Sequence, residues 1–268
     1  MGRSKQRRLK FLADNPLCCF CGGRNVATEE DHFPSRALFR ERIWPEGFVF
    51  PACAKCNDAT SRDELLVAWL ARLRVHNDTL SELDRREFTE LRKGIERGFP
   101  GLLDAMHSPS HRERRRARET YRHELPDEIS LLEVPVLSGH DPRIHDAMNN
   151  VGRKLALAVY YRHFGDPLPD RGRVGIRWLT NAQIDQGVIP GEFAMLLTDV
   201  PTFSRAGVDL SEQFFYRYRT VEDGDHRVAV FFAGFNLSFG MIGAISNNGK
   251  SLFADPGQAK EFSPYDWA

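Results

Sequence analysis

The sequence predicts an α+β fold in three regions, and three observations support it. Two Cys-x-x-Cys pairs lie within the first 60 residues, which indicates a small N-terminal unit built around a metal ion. Apolar residues at helical spacing dominate the region that follows. The last half of the chain combines one long helical pattern with alternating segments typical of antiparallel strands. We place the three regions at residues 1–75, 76–125 and 126–268.

The N-terminal and middle regions are predicted to contain four helices. A basic amphipathic helix is expected up to Ala13. A second helix is predicted to begin at the sequence SRDE, where Ser61 would cap the helix and Glu64 would complete a capping box. A third is expected from about Ser81 to Gly98. The Phe-Pro-Gly sequence then breaks the chain, and an arginine-rich helix follows.

The C-terminal region is predicted to contain a long helix and an antiparallel meander. The segment ISLLEVPVL is expected to be extended. Asp141 can cap a helix that has Pro142 in its first turn and ends at Gly165. The segments RVGIRWL and LSFGMIGAI are predicted strands, and an Asp-Gly turn joins two more as a hairpin. The stripe of the helix expected to be buried contains Ile144, Met148, Val151, Leu155 and Val159.

Charge and hydropathy limit the classes of function. The net charge of the 268 residues is zero, but the first thirteen residues hold five Lys or Arg and no acid, and the run HRERRRARETYRH holds six Arg against two Glu. Such runs can contact nucleic-acid phosphates, although a solvated helix face is the alternative. No apolar run reaches the ~18 residues of a membrane span, so we expect a cytoplasmic protein without a membrane partner. The candidate nucleic-acid contacts are Arg7, Arg8, Arg114, Arg115 and Arg116.

Four cysteines form the most specific motif of the sequence. Cys18 and Cys21 make one pair, and Cys53 and Cys56 make the other. Paired cysteines in a cytoplasmic chain favour a structural zinc ion over disulfides, and four thiolates suit its tetrahedral geometry. The alternative is that all four are unliganded core residues. The 31 residues between Cys21 and Cys53 exceed the ~15–20 of a compact zinc ribbon, so the intervening loop is expected to carry something more. Cys19 is predicted to be a small buried residue without a metal role.

That loop contains an adjacent Asp-His pair, Asp31 and His32, and Asn57 directly follows the fourth cysteine. A histidine next to an aspartate is by itself more often a structural hydrogen-bonding group than a catalyst. The order Cys-x-x-Cys, Asp-His, Cys-x-x-Cys-Asn nevertheless resembles the zinc-bearing HNH nucleases, also called His-Me finger or ββα-metal nucleases. The recombination endonuclease VII type is most similar in the order of its motifs. A looser similarity to uncharacterised bacterial and phage HNH proteins extends along most of the chain.

The resemblance implies a metal-dependent endonuclease that hydrolyses phosphodiester bonds in nucleic acid, with DNA as the expected substrate. Residues 1–75 would form a zinc-stabilised ββα-metal finger. His32 would act as the general base, while Asp31 and Asn57 would bind one catalytic Mg²⁺ or Mn²⁺. The zinc ion would have a structural role and would hold Asn57 facing Asp31. Because adjacent strand residues point to opposite faces, Asp31 and His32 would need a bend or a strand end to serve one site.

The sequence also departs from the HNH pattern. The central Asn of the motif is missing from the segment PEGFVFPA, the third motif position is Asn57 instead of His, and Thr60 stands where a Lys is common. These departures keep open an alternative, a catalytically degenerate finger that acts as a zinc-stabilised nucleic-acid-binding or interaction module. A protein partner or a homo-oligomer has no support in the sequence, and residues 126–268 have no predicted role.

Overall fold

The protein has the mixed α+β fold expected from its sequence. The computed structural model describes residues 3–73, 81–121, 136–185, 203–236, 238–250, 253 and 259–264. A four-cysteine cluster lies near the N-terminus and an antiparallel sheet lies near the C-terminus. Most of the extended segment predicted at residues 129–137 lies outside the described residues.

The N-terminal region is a hairpin flanked by helices. Helix α1 covers Arg3–Asp14, as the basic amphipathic pattern predicts. Strands β1 (Glu29–His32) and β2 (Val49–Ala52) pair antiparallel, with His32 opposite Val49. Helix α2 (Ala54–Arg72) follows β2 after a single residue, Cys53. The order of elements is therefore strand, strand, helix.

Helix α2 begins earlier than predicted, and the proposed capping box is wrong. Cys53 occupies the N-cap position and makes no side-chain cap hydrogen bond. The Ser61 hydroxyl donates to the Asp58 carbonyl within the helix, at 3.0 Å. Glu64 is buried in the middle of the helix, where its carboxylate accepts a hydrogen bond from Thr60. The local pattern imitates a helix start because both side chains have partners that only the folded structure supplies.

The described part of the middle region, residues 81–121, contains three helices. They are α3 (Glu82–Gly98), α4 (Leu102–Met106) and α5 (His111–Tyr121). The Ser81 hydroxyl caps α3 by accepting from the backbone N–H of Asp84, as predicted. Buried Arg72 at the end of α2 pairs with Asp84 at 3.4 Å and joins α2 to α3.

The C-terminal region joins a long helix to a five-stranded sheet. Helix α6 (Pro142–Phe164) is capped by Asp141, ends at Gly165 with φ +77° and buries all five residues of its predicted stripe. The other elements are β3 (Arg173–Thr180), α7 (Asn181–Asp185), β4 (Ser204–Arg205), β5 (Val208–Asp209), β6 (Phe214–Asp223), β7 (His226–Phe235), β8 (Phe239–Ser246) and β9 (Lys260–Phe262). The antiparallel order β6-β7-β8-β3-β9 confirms the meander, and β4 pairs with β5 as a separate hairpin.

Helix α6 is the central element of the core. It packs on α2 on one side and on strands β3 and β8 on the other. Gly152 brings α6 close to the sheet, because a Cβ at this position would lie 2.6 Å from Ile176 Cγ2. One continuous set of buried residues runs from the cysteine cluster to the sheet. In the described part of the chain, no helix is long and apolar enough to cross a membrane.

Candidate functional site

The four cysteines of the two Cys-x-x-Cys pairs meet in one buried cluster. The Sγ atoms of Cys18, Cys21, Cys53 and Cys56 all lie within 4.8 Å of one another. Among the described residues, no other group of three or more His, Cys, Asp or Glu side chains is arranged to hold a metal ion. Four thiol ligands that converge on one point fit a tetrahedral zinc ion. The cluster can therefore hold a structural zinc, as the sequence predicts.

Two local structures bring the cysteines together. A tight turn holds Cys18 and Cys21, and it continues into Gly22 and Gly23 with φ of +66° and +77°. Strand β2 leads directly to Cys53, and the first turn of α2 carries Cys56. The 31 residues between the pairs contain both strands of the hairpin, which explains why this spacing exceeds that of a compact ribbon. Cys19 is fully buried, as predicted.

The thiols of the cluster influence one another strongly. Hydrogen bonds from Cys18 and Cys56 to the Cys21 sulfur lower the pKa of Cys21 to about 2. The pKa of Cys18 rises to about 12, first because its hydrogen bond to Cys21 requires a protonated thiol. The pKa of Cys56 is raised for the same reason, by its hydrogen bonds to Cys18 and Cys21. The cluster thus holds one thiolate with protonated neighbours, and the charge of a zinc ion would let the other ligand thiols deprotonate as well.

The adjacent residues Asp31 and His32 point to opposite faces of strand β1. Asp31 is 6% exposed and faces the interior between α2 and α6. His32 is half-buried on the other face, against Trp44. This is the arrangement of a regular strand. The bend that would direct both side chains into one site is absent from β1.

Asp31 forms a buried ion pair with Lys154 of α6. Its Nζ lies 2.5 Å from Asp31 Oδ2, an ion pair without the alignment of a hydrogen bond. The same Nζ lies 2.6 Å from Glu64 Oε1 and 2.9 Å from Thr60 Oγ1. Burial lowers the pKa of Lys154, but the charges of Glu64 and Asp31 outweigh it, so the pKa is raised and the ammonium stays charged. Three oxygen-bearing side chains thus surround one fully buried ammonium group.

Asn57 lies in the first turns of α2, and its amide Nδ2 donates to Glu29 Oε2 at 2.6 Å. Asp31 pairs with Lys154, and Asn57 pairs with Glu29. Asp31 therefore has an ammonium group as its partner where the resemblance implies Mg²⁺ or Mn²⁺. The bond from Asn57 to Glu29 uses the amide nitrogen, whereas the predicted metal ligand is the amide oxygen.

His32 is surrounded by arginines. Arg36 Nη2 lies 2.6 Å from His32 Nε2, and because arginine only donates, Nε2 accepts and the ring proton is on Nδ1. Burial, followed by the charges of Arg36, Arg205 and Arg7, lowers the pKa of His32 to about 4. The imidazole is therefore neutral near pH 7. A neutral imidazole is the form that a general base requires.

The predicted nucleic-acid contacts are located in two different places. Arg7 and Arg8 lie on α1, where Arg7 is exposed near His32 and Arg8 donates to the Thr28 carbonyl at 3.0 Å. Arg114, Arg115 and Arg116 are exposed on α5. Arg115 pairs with Glu119 at 2.8 Å, as expected for a solvated helix face. The structure thus brings Arg7 near the candidate base.

Sequence reasoning missed four residues of the site. Lys154 is a charged residue within an apolar helical stripe, and this unusual position was the available signal. Arg36 and Trp44 lie in the loop between β1 and β2, and Arg205 comes from β4, so nothing in the local sequence joins them. Comparison with protein-family models, curated proteins and solved structures finds no match to this chain.

Proposed function

We propose that the protein is an HNH-type endonuclease that hydrolyses phosphodiester bonds in nucleic acid, with DNA as the expected substrate. The observation that supports this best is the position of His32. It ends strand β1 of a strand-strand-helix unit braced by four cysteines, and its imidazole lies 2.6 Å from a guanidinium group. A base next to a group that binds phosphate is the arrangement that phosphodiester hydrolysis needs.

Each part of the unit has a role in this proposal. The cysteine cluster would hold zinc and fix the end of β2 against α2, without taking part in the reaction. His32 would accept the proton of the attacking water through Nε2 once Arg36 turns to a phosphate oxygen. As the water oxygen bonds to phosphorus, the bond from phosphorus to the leaving 3′ oxygen would break, and solvent would protonate that oxygen. The guanidinium groups near His32 would stabilise the negative charge that develops on the phosphate. These roles involve no divalent cation at Asp31, because Asp31 pairs with Lys154.

A second candidate function, the degenerate finger, is favoured by the same Lys154. An HNH nuclease is expected to use its aspartate for a metal ion, whereas Asp31 here pairs with a buried ammonium group. In that case the finger would bind nucleic acid through its arginines and would cut nothing. The zinc cluster and the surface charge would be the same in both proposals, so only an activity assay separates them.

The test is a plasmid-nicking assay on the wild-type protein and on His32→Ala. Both are incubated with Mg²⁺, with Mn²⁺, without added metal and with EDTA, and the zinc content is counted by mass spectrometry. The nuclease proposal predicts nicking by the wild type that is lost in His32→Ala at equal zinc content. Equal nicking by both proteins would reject His32 as the base. Binding without nicking of any DNA or RNA substrate would support the degenerate finger.

A further inference from the structure

A compact cationic cluster surrounds Trp44 on the His32 face of the hairpin. We call it the Trp44 cluster and define it by Arg36, Arg42, Trp44 and Arg205. The Cζ atoms of Arg36 and Arg205 lie 3.9 and 3.6 Å from the centre of the Trp44 ring. The His32 ring meets the same indole at 4.7 Å, nearly perpendicular. Two guanidinium groups are thus fixed on one aromatic side chain next to the candidate base.

The cluster joins two distant parts of the chain. Arg205 in β4 donates through Nη1 to the Trp44 carbonyl at 3.3 Å. The backbone N–H of Glu46 donates to the Ser204 carbonyl at 3.1 Å, and the Ala206 N–H donates to the Glu46 carboxylate at 3.2 Å. These bonds attach the β4–β5 hairpin to the loop between β1 and β2. The C-terminal region therefore supplies one of the two stacked arginines.

The backbone around the cluster is unusual. In the described part of the chain, four residues other than glycine have positive φ, and three of them belong to the cluster or directly adjoin one of its residues. They are Glu41 at 54°, Arg42 at 56° and Ala206 at 50°. Such conformations are costly for residues with a Cβ and occur preferentially at functional sites. The loop and hairpin thus adopt strained turns that place the arginines beside Trp44.

Positively charged side chains this close together favour the binding of an anion. Arg36 has a lowered pKa, first because of its burial and then because of the charges of Arg42 and Arg205. Each guanidinium carries five N–H donors, and the contacts to His32 and to the Trp44 carbonyl use only some of them. The remaining donors suit the oxygens of a phosphate group, which guanidinium groups bind in a planar, bidentate geometry.

We propose that Arg36 and Arg205, stacked on Trp44, form a phosphate-binding site that holds the nucleic-acid backbone next to His32, with exposed Arg42 at its edge. This inference rests on the proposed function and assigns its substrate contacts. It places them on the His32 face and not on the arginine-rich helix α5. Because the contacts go to phosphates, binding would be strongly salt-dependent and largely independent of base sequence.

The test measures binding separately from cutting. The affinity of a fluorescein-labelled DNA duplex is followed by fluorescence anisotropy over a range of salt concentrations, without added divalent cation, and a gel checks that the DNA stays intact. The double variant Arg36→Gln/Arg205→Gln is compared with Arg217→Gln/Arg219→Gln. The control removes the same charge from exposed positions of β6. Inorganic phosphate is added as a competitor to distinguish a site for free phosphate from one for the nucleic-acid backbone.

We expect the Arg36/Arg205 variant to bind about 10-fold more weakly or worse. The slope of log K against log salt should flatten by about 2, near 0.9 for each lost contact. The Arg217/Arg219 control should change much less. If circular dichroism shows that the double variant is misfolded, Arg42→Gln provides the second test. The Arg42 side chain is exposed, and its replacement should also weaken DNA binding.

Three outcomes would overturn the inference. Equal losses in the Arg36/Arg205 variant and the control would overturn it, because the effect would then be net charge alone. A loss confined to Arg114→Gln/Arg115→Gln would overturn it in favour of α5. Release of the duplex by phosphate at low millimolar concentration, or no binding of the duplex by the wild type, would overturn the nucleic-acid assignment. If the wild type binds DNA through Arg36 and Arg205 but never nicks it, the inference stands and the nuclease proposal fails.

Discussion

Replacing Lys154 with methionine tests whether the buried ion pairs join the N-terminal unit to helix α6. The Lys154 side chain is 0% exposed, and those of Asp31 and Glu64 are 7% and 10% exposed. Methionine is nearly as long, favours helices and carries no charge. The substitution therefore removes the ammonium group with little loss of volume. It leaves two carboxylates in the same buried site without a cation.

The two unpaired carboxylates determine the expected loss in the free energy of unfolding. Removing one partner of a buried ion pair typically costs about 3–5 kcal/mol, because the remaining charge is neither solvated nor paired. Lys154→Met leaves both Asp31 and Glu64 without their counter-ion, so we expect a loss at the upper end of this range. The free energy of unfolding of a typical domain is about 5–15 kcal/mol, so such a loss removes a large fraction of it. The measurement is urea unfolding followed by circular dichroism, at saturating zinc.

A surface ion pair with a similar distance between nitrogen and oxygen provides the control. Lys10 and Asp14 are 2.7 Å apart on α1 but 76% and 58% exposed, so Lys10→Met should cost only about 0.3–0.5 kcal/mol. A second control combines Lys154→Met with Asp31→Asn and Glu64→Gln. This triple variant should recover much of the loss, because no charged side chain remains in this buried site. A cost below about 1 kcal/mol for Lys154→Met alone would refute the reasoning.

Three further predictions test other parts of the account. Cys53→Ser should unfold the N-terminal unit and abolish zinc binding, which a zinc count and circular dichroism would detect; a folded, zinc-loaded variant would exclude Cys53 as a ligand. Hydrogen bonds from Ser138, Ser110 and His140 outweigh burial and lower the pKa of Glu113 from 4.5 to about 2. The stability gap between wild type and Glu113→Gln should therefore be complete above pH 4.5 and shrink as the pH falls toward 2; a gap that grows on acidification would contradict this. Gly152→Ala should destabilise the protein by about 1–3 kcal/mol, because the added Cβ would clash with Ile176. Gly94→Ala should be nearly neutral, because its added Cβ would meet only the flexible end of Leu65. Equal melting temperatures for the two variants would argue against close packing of α6 on the sheet.

The parts of the fold that the sequence predicts well have local signals. Helix α6 begins and ends where Asp141, Pro142 and Gly165 indicate, because caps and helix breakers act within a few residues. The β6–β7 hairpin turns at Gly224, with φ +56°, as the Asp-Gly sequence predicts. The meeting of the two cysteine pairs is also predictable, since their residue type and spacing are specific to metal sites.

The parts that the sequence predicts poorly depend on distant partners. The start of α2 is misplaced because Cys53 is not a usual N-cap residue, while Ser61 and Glu64 imitate a capping box. Lys154 and Glu64 are 90 residues apart, so their contact leaves no trace in either local pattern. Arg205 and Trp44 are 161 residues apart. The resemblance to HNH nucleases does not foresee the ammonium group beside Asp31.

The central claim is that His32 is the base of a phosphodiester hydrolase. The most direct measurement compares plasmid nicking by the wild type and by His32→Ala, with a zinc count for each protein. The account predicts nicking by the wild type, loss of nicking in His32→Ala, and one zinc ion per chain in both, because the cysteine cluster does not include His32. One zinc ion per chain with no nicking by the wild type, on any DNA or RNA and with any metal tested, would contradict the claim.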